Sequence, residues 1–184
     1  MEEAAERAGV SPGLLFHYFG TQRKFRRELA EAAARELLAQ IEPDPALSPV
    51  EQLHVALDTF TAHVAKRPGL YLATTRVSGG NQDLRELRTG IRGTFGEWLL
   101  AGLLTAGVPD TPVVTATVAG WLAYTEEVLL GWLIHPEPRM TRQEVVALCE
   151  SACYHLVQAA VADPVLWHEV EQALTRTPER AVTE

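Results

Sequence analysis

The 184-residue chain predicts an all-α fold, and three observations carry that expectation. Apolar residues recur three and four positions apart through each long segment, the period of a helix with one buried face. Helix starts are marked by a capping residue before proline, as at Ser11-Pro12, Ser48-Pro49 and Asp110-Thr111-Pro112. Breaks fall at glycine and proline, and no segment reads convincingly as a strand.

Composition sets the class. Hydrophobic residues make up 47% and charged residues 22%, as in an ordinary globular protein, and the length suits one domain with a small appendage. The formal net charge is −8, unevenly spread: residues 1 to 27 carry +2 and the rest −10. An acidic body repels nucleic acid and confines any contact with it to the amino-terminal end. No signal-peptide series is present and no apolar run is both free of charge and long enough to span a bilayer, so the expected compartment is the cytoplasm, with no membrane partner.

The amino-terminal elements come first. Gly9 ends a short helix by supplying a residue free to take positive φ, and Ser11-Pro12 opens the next. That second helix is brief, because Gly20 stops it and Thr21 caps a much longer helix from Gln22 to Ile41. The order is a helix-turn-helix with a supporting helix behind it. Val10, Leu15 and Phe19 fall near one face of the short helix and pack inward, leaving Ser11, Gly13, Leu14, His17 and Tyr18 nearer the open side. Residues 7 to 27 hold Arg7, Arg23, Lys24, Arg26 and Arg27 and no carboxylate. A cationic patch beside a helix with small and hydrogen-bonding tips suits phosphate contact and base reading.

The long helix carries Phe25, Leu29, Ala32, Ala33 and Leu37 along one stripe, and Pro43 and Pro45 end it. Ser48-Pro49 restarts the chain in a helix with Leu53, Leu57, Phe60 and Val64, interrupted at Arg67-Pro68-Gly69. A short segment, 70 to 77, precedes a loop at Ser78-Gly79-Gly80-Asn81. The helix from Asp83 to Ala106 turns Leu84, Leu87, Ile91, Phe95, Trp98 and Leu99 inward. Gly90, Gly93 and Gly96 on it suit close packing, or a soft helix beside a pocket. The helix from Pro112 to about Ile134 is apolar on more than one side and must be covered on both. A capping box, Thr141 to Glu144, opens a helix reaching Val161, Asp163-Pro164 breaks the chain, and residues 165 to 174 form one more amphipathic helix.

The run A-E-R-A-G-V-S-P-G-L-L-F-H-Y-F-G, within about Ala4 to Leu29, resembles the DNA-reading segment of TetR-family transcriptional regulators. Beyond it the helices resemble the family only in number, length and order. A helical hairpin used only for packing is the plainer reading, and the specificity of G-V-S-P-G-L-L-F-H-Y-F argues against it. The resemblance implies that Ser11, Pro12, Gly13 and Leu14 approach the major groove and that Phe16, His17 and Tyr18 touch bases or phosphates. Phe16, Gln22 and Phe25 depart from the family's usual tyrosine, phosphate-binding lysine and leucine, which leaves Lys24 as a weaker phosphate candidate. The family also places a whole helix and part of the next before the position of Met1, so the helix-turn-helix is incomplete here. A truncated longer regulator and a natural short form that has lost binding both fit, and truncation is the expectation, because an intact cap, turn and reading helix are of little use unsupported.

The expected organisation is a DNA-binding segment with its connecting helix over residues 1–41 and a helical effector-binding and dimerisation domain over 42–184. Small residues Gly120, Ala123, Gly131, Ala152 and Ala159 let two helices per subunit approach their symmetry mates, giving a four-helix homodimer interface within 112–161, as the resemblance also implies. Helices starting near 49, 70, 83 and 112 enclose an apolar space, with Phe60, His63, Tyr71, Trp98, Trp121, Tyr124 and Glu127 as candidate lining. Glu126 and Glu127, inside an apolar helix, either face solvent or a partner, or one of them lines that space.

Enzymatic signatures are missing from the sequence: no G-x-S-x-G, no phosphate-binding glycine loop and no H-E-x-x-H. Cys149 and Cys153 share a helix face while His155 points to another, which favours packed thiols over a metal site. No catalytic residue, metal or cofactor is expected. The resulting expectation is a regulator, most simply a repressor, released from double-stranded operator DNA by a small, largely apolar effector. The competing expectation is a dimeric helical ligand-binding or scaffold protein with a vestigial reading head.

Overall fold

In the computed structural model, which describes residues 2–76, 82–135 and 140–177, every regular element among the described residues is a helix. They are α1 (Glu2–Ala8), α2 (Pro12–Phe19), α3 (Gln22–Ile41), α4 (Pro49–Lys66), α5 (Pro68–Arg76), α6 (Gln82–Thr105), α7 (Pro112–Ile134), α8 (Arg142–Val161) and α9 (Pro164–Thr175). The all-α expectation holds. The loop expected at residues 78 to 81 and the end of the segment before it lie outside the described residues.

Local chemistry sets the helix ends. Gly9 and Gly20 take φ of +66° and +69°, closing α1 and α2 where a side chain would be strained. Ser11 Oγ accepts the Leu14 N–H at 3.2 Å and Thr21 Oγ1 the Lys24 N–H at 3.1 Å, so each of the two later head helices starts on a side-chain cap. Reciprocal capping boxes open α4, between Ser48 and Glu51, and α8, between Thr141 and Glu144. In both boxes hydrogen bonds to the cap hold the glutamate pKa below its ordinary value.

The two expected breaks fall at Arg67 and at Ala162–Asp163, and the proline of each is already the start of the next helix. Pro68 begins α5 and Pro164 begins α9, each at a first-turn position where proline's missing N–H costs nothing. Asp163 Oδ1 accepts the N–H groups of Val165 and Leu166, which makes the expected break a well-formed cap.

The main core lies among α4, α6, α7, α8 and α9. Trp121, Val114 and Leu122 of α7 meet Cys149, Cys153 and Val157 of α8, and Trp167 and Val170 of α9 close one end. Trp121 donates its indole N–H to the Cys149 carbonyl at 2.8 Å, tying α7 to α8 with a satisfied buried polar group. By length and composition α7 is apolar enough to cross a membrane; here it packs on α8, α6 and α5, and it carries Glu126 and Glu127.

The head joins the body through α3. Leu37 and Ile41 pack on Ala56 of α4, with Phe60, Phe95 and Trp98 around them. Within the head α1 packs on α2 and α2 on α3, and the Phe19 and Phe25 rings meet edge to face at 5.0 Å across the turn. Among residues 2–29 as described, Ala5 is the one buried side chain, and Leu29 is 59% exposed.

Candidate nucleic-acid interface and ligand cavity

The short helix α2 buries none of its residues. Leu14 is 42% exposed, Phe16 51% and Tyr18 70%, while Leu15 and Phe19 turn half-buried toward α1 and α3. Ser11, Pro12, Gly13 and His17 are exposed on the same element, and His17 meets the edge of Tyr18 at 5.6 Å. All the reading residues expected from the sequence are thus at the surface, with Ser11 also serving as the cap. Such display costs apolar exposure that a helix placed only for packing would avoid.

Beside α2, the first turns of α3 present Arg23, Lys24, Arg26 and Arg27, all exposed. Lys24 Nζ lies 3.7 Å from Glu28 and Arg27 Nε 2.7 Å from Glu31, both one helical turn on. Exposed pairs of this kind contribute about 0.3–0.5 kcal/mol each, so a phosphate oxygen competes with them readily.

The body holds an apolar cavity of about 130 Å³ whose walls come from α3, α4, α5, α6 and α7. Ala30, Ala34, Leu37 and Ile41 of the connecting helix form one wall, and Leu57, Phe60 and Val64 of α4 another. Phe60 meets Tyr71 edge to face at 6.1 Å. The polar lining is concentrated on Arg67, Arg88, Arg92, Glu126, His63 and Tyr71. Arg88 Nη2 donates to Glu126 Oε2 at 3.1 Å, Arg92 Nη1 lies 3.7 Å from the same oxygen, and Arg92 Nη2 donates to the Ala119 carbonyl at 2.6 Å. Burial lowers the His63 pKa, helped by the Arg67 charge, which favours the neutral ring. Burial raises the Tyr71 hydroxyl well above its ordinary value, so it stays a phenol whose O–H reaches the Glu126 carbonyl at 3.4 Å. Thr125 is buried beside them; its hydroxyl makes no well-formed hydrogen bond and has the Cys149 thiol as its polar neighbour.

A second apolar cavity, of about 300 Å³, lies between α4, α6, α8 and α9. It is lined by Trp98, Leu99, Gly102, Cys153, Tyr154 and Trp167 among others, and Ile41 and Phe95 belong to the walls of both cavities.

These placements sort the lining residues expected from the sequence. Phe60, His63 and Tyr71 line the first cavity, and Trp98 lines the second. Trp121, Tyr124 and Glu127 line neither. Trp121 is consumed by the α7–α8 core, and Tyr124 and Glu127 face outward, one and two positions round the helix from Thr125, which faces in. Glu126 takes the place expected of Glu127. Arg88, Arg92, Ile91 and Phe95 were missed. Their signal is two arginines four apart, set within the apolar stripe of α6.

The outer side of α7 and α8 is rich in small residues. Ala116, Gly120, Ala123 and Ala159 are exposed, beside Val113, Tyr124, Leu148 and Leu156. A Cβ added at Gly120 would meet nothing within 4 Å. Ala152 departs from the expectation: it packs against the main core. Cys149 and Cys153 are core residues too, whereas His155 is exposed and stacks edge to face on Tyr154.

A helix-turn-helix head carried on one long helix, with that helix forming a wall of a cavity in a body that is helical in its described residues, defines the class of fold. The particular fold is that of the TetR-family transcriptional regulators. The chain matches the crystal structure of a tetR-family transcriptional regulator from Streptomyces coelicolor with a TM-score of 0.79 and 21% sequence identity, over 97% of this chain and 80% of that one. Neither protein-family models nor curated protein sequences match it.

Proposed function

We propose that this chain is a ligand-responsive, DNA-binding transcriptional regulator and acts as a repressor. Residues 1–41 engage double-stranded operator DNA, and residues 42–184 bind a small effector and form a homodimer through α7 and α8. The observation that carries the reading is α2: eight residues, none buried, with Leu14, Phe16 and Tyr18 turned outward beside a cationic stretch. Ser11, Pro12, Gly13 and Leu14 enter the major groove at the start of the reading helix, Phe16, His17 and Tyr18 contact bases and backbone, and Lys24 leaves Glu28 for a phosphate.

Coupling runs through α3. Its carboxyl-terminal half is a wall of the first cavity and its amino-terminal half supports α2, so an occupant that displaces the wall tilts the reading helix. In a dimer that changes the spacing of two heads, and DNA and effector affinities become reciprocally linked.

The test is binding of the chain, and of a version extended upstream in its gene, to DNA from beside that gene across a salt series. Expected are affinity that falls steeply with salt, and a Tyr18→Ala variant that binds at least tenfold more weakly with an unchanged melting temperature. Binding indifferent to both would overturn the reading. The second reading, a dimeric ligand-binding scaffold with a vestigial head, is favoured by one observation: the open apolar side of the head at Leu29. Intact dimers of both forms that bind no DNA would establish it.

A further inference from the structure

The charge on the lining of the first cavity is unbalanced, with Glu36 and Glu127 acting on His63 and Tyr71 from outside it. Among its described lining residues there are three guanidiniums, those of Arg67, Arg88 and Arg92, and one carboxylate, Glu126. Both Arg88 and Arg92 reach Glu126 through the same oxygen, Oε2. Each guanidinium offers five N–H donors in a planar fork, a geometry that suits a carboxylate held by two bonds at once. One shared oxygen and one backbone carbonyl leave that capacity largely unused, and the Arg88 and Arg92 side chains are only 37% and 32% exposed. A second carboxylate at this place completes the set of acceptors and balances the cluster of Arg88, Arg92 and Glu126.

The apolar surroundings have a direction. Arg88 and Arg92 are followed on the same face of α6 by Phe95, then by Trp98, Leu99 and Gly102, so the face passes from the first cavity into the second. From Arg88 to Gly102 it spans about 21 Å at the rise of an α-helix. Phe95 and Ile41 are all that the two walls share, and a half-buried phenylalanine can turn aside at the cost of a rotamer change.

We propose that the ligand is a straight-chain amphiphile with a carboxylate head, the head held by Arg88 and Arg92 and the chain laid along α6 past Phe95 toward Trp98. This deepens the effector-binding reading and rests on it for the choice of cavity, but its test needs no DNA. The polar end explains why two arginines sit in an otherwise apolar stripe. The apolar track explains why the cavities adjoin end to end.

The experiment is calorimetric titration of the full chain with octanoate, decanoate and 1-decanol, each below its aggregation limit. Expected are one decanoate site per chain, decanol at least tenfold weaker, and octanoate about fifteenfold weaker than decanoate, since each buried methylene contributes about fourfold. The Arg88→Ala/Arg92→Ala variant weakens decanoate tenfold or more and leaves decanol unchanged. Glu126→Gln, which removes the competing carboxylate, tightens decanoate severalfold and decides the matter if the double variant does not fold. Equal affinity for decanoate and decanol, no binding of either, or a Glu126→Gln variant with unaltered or weaker decanoate binding overturns the proposal. Decanoate binding as described, without any effect on DNA affinity, would sink the regulatory reading and leave this site standing. Release of DNA by some other compound, with decanoate not binding, would do the reverse.

Discussion

Glu126 and Glu127 are neighbours in sequence and about 100° apart around α7. That rotation sends one to the cavity and two arginines and the other to the surface. Gly90, Gly93 and Gly96 separate in the same way. A Cβ at Gly96 would come within 3.1 Å of Leu122, so this glycine allows α6 and α7 to approach, while the other two face open space. The two cysteines are decided by burial, which pushes the Cys149 thiol up to about 11 and Cys153 up to about 12. Both stay protonated at pH 8, so an aromatic disulfide reagent should leave them unlabelled in the native protein and label both after unfolding in guanidinium. Rapid native labelling would contradict their placement. Because the folded values are raised, their contribution to stability is complete below the unfolded pKa of about 9 and is lost as pH climbs toward 12. Arg88 and Arg92 were legible as residues; that they meet one carboxylate 38 and 34 positions away was not.

At the scale of elements, caps made the helix limits legible because a cap is a contact within four residues. Ser11, Thr21, Ser48 and Thr141 all occupy the positions their neighbours imply. Proline delayed the expected starts of α5 and α9 by two residues and one, since it reads as a breaker although it suits the first turn of a helix. The end of α8 carries strain that the sequence did not flag. Ala162 has φ of +57° and ψ of 0°, the left-handed conformation that usually belongs to glycine, with its N–H donated to the Gln158 carbonyl at 3.2 Å. An L-residue with a Cβ is penalised there by about 1–2 kcal/mol, against about 0.4–1 kcal/mol that glycine loses through the unfolded chain. Ala162→Gly should therefore stabilise the protein by about 0.5–1 kcal/mol, seen as a higher urea midpoint with an unchanged slope. A lower midpoint would mean that the alanine methyl packs usefully.

At the scale of the whole molecule, α3 belongs to the head at one end and to the body at the other, so packing runs unbroken from one to the other. The proposed dimer can be probed on α7 without disturbing the protomer. Gly120 is exposed and has room around it, so Gly120→Arg should keep the helical signal and convert the dimer to a monomer in sedimentation. A variant that sediments as a dimer like the parent would place the interface elsewhere. The acidic body and the cationic first turns of α3 give the molecule a polarity that suits an approach to DNA by the head alone.

By itself the sequence determined the all-α class, the caps, the order of helices, and the run from Gly9 to Gly20 that shapes the head, because each of these is written in contacts a few residues long. Its helical period also placed Leu14, His17 and Tyr18 on the open side of α2, while the exposed Phe16 was given by the resemblance alone. Only the tertiary structure decided which carboxylate of α7 faces inward, that Trp121 is core and not lining, and that two cavities meet at Phe95. Those outcomes depend on how helices distant in sequence are rotated and spaced against one another, a sum of many small packing terms that no local pattern encodes.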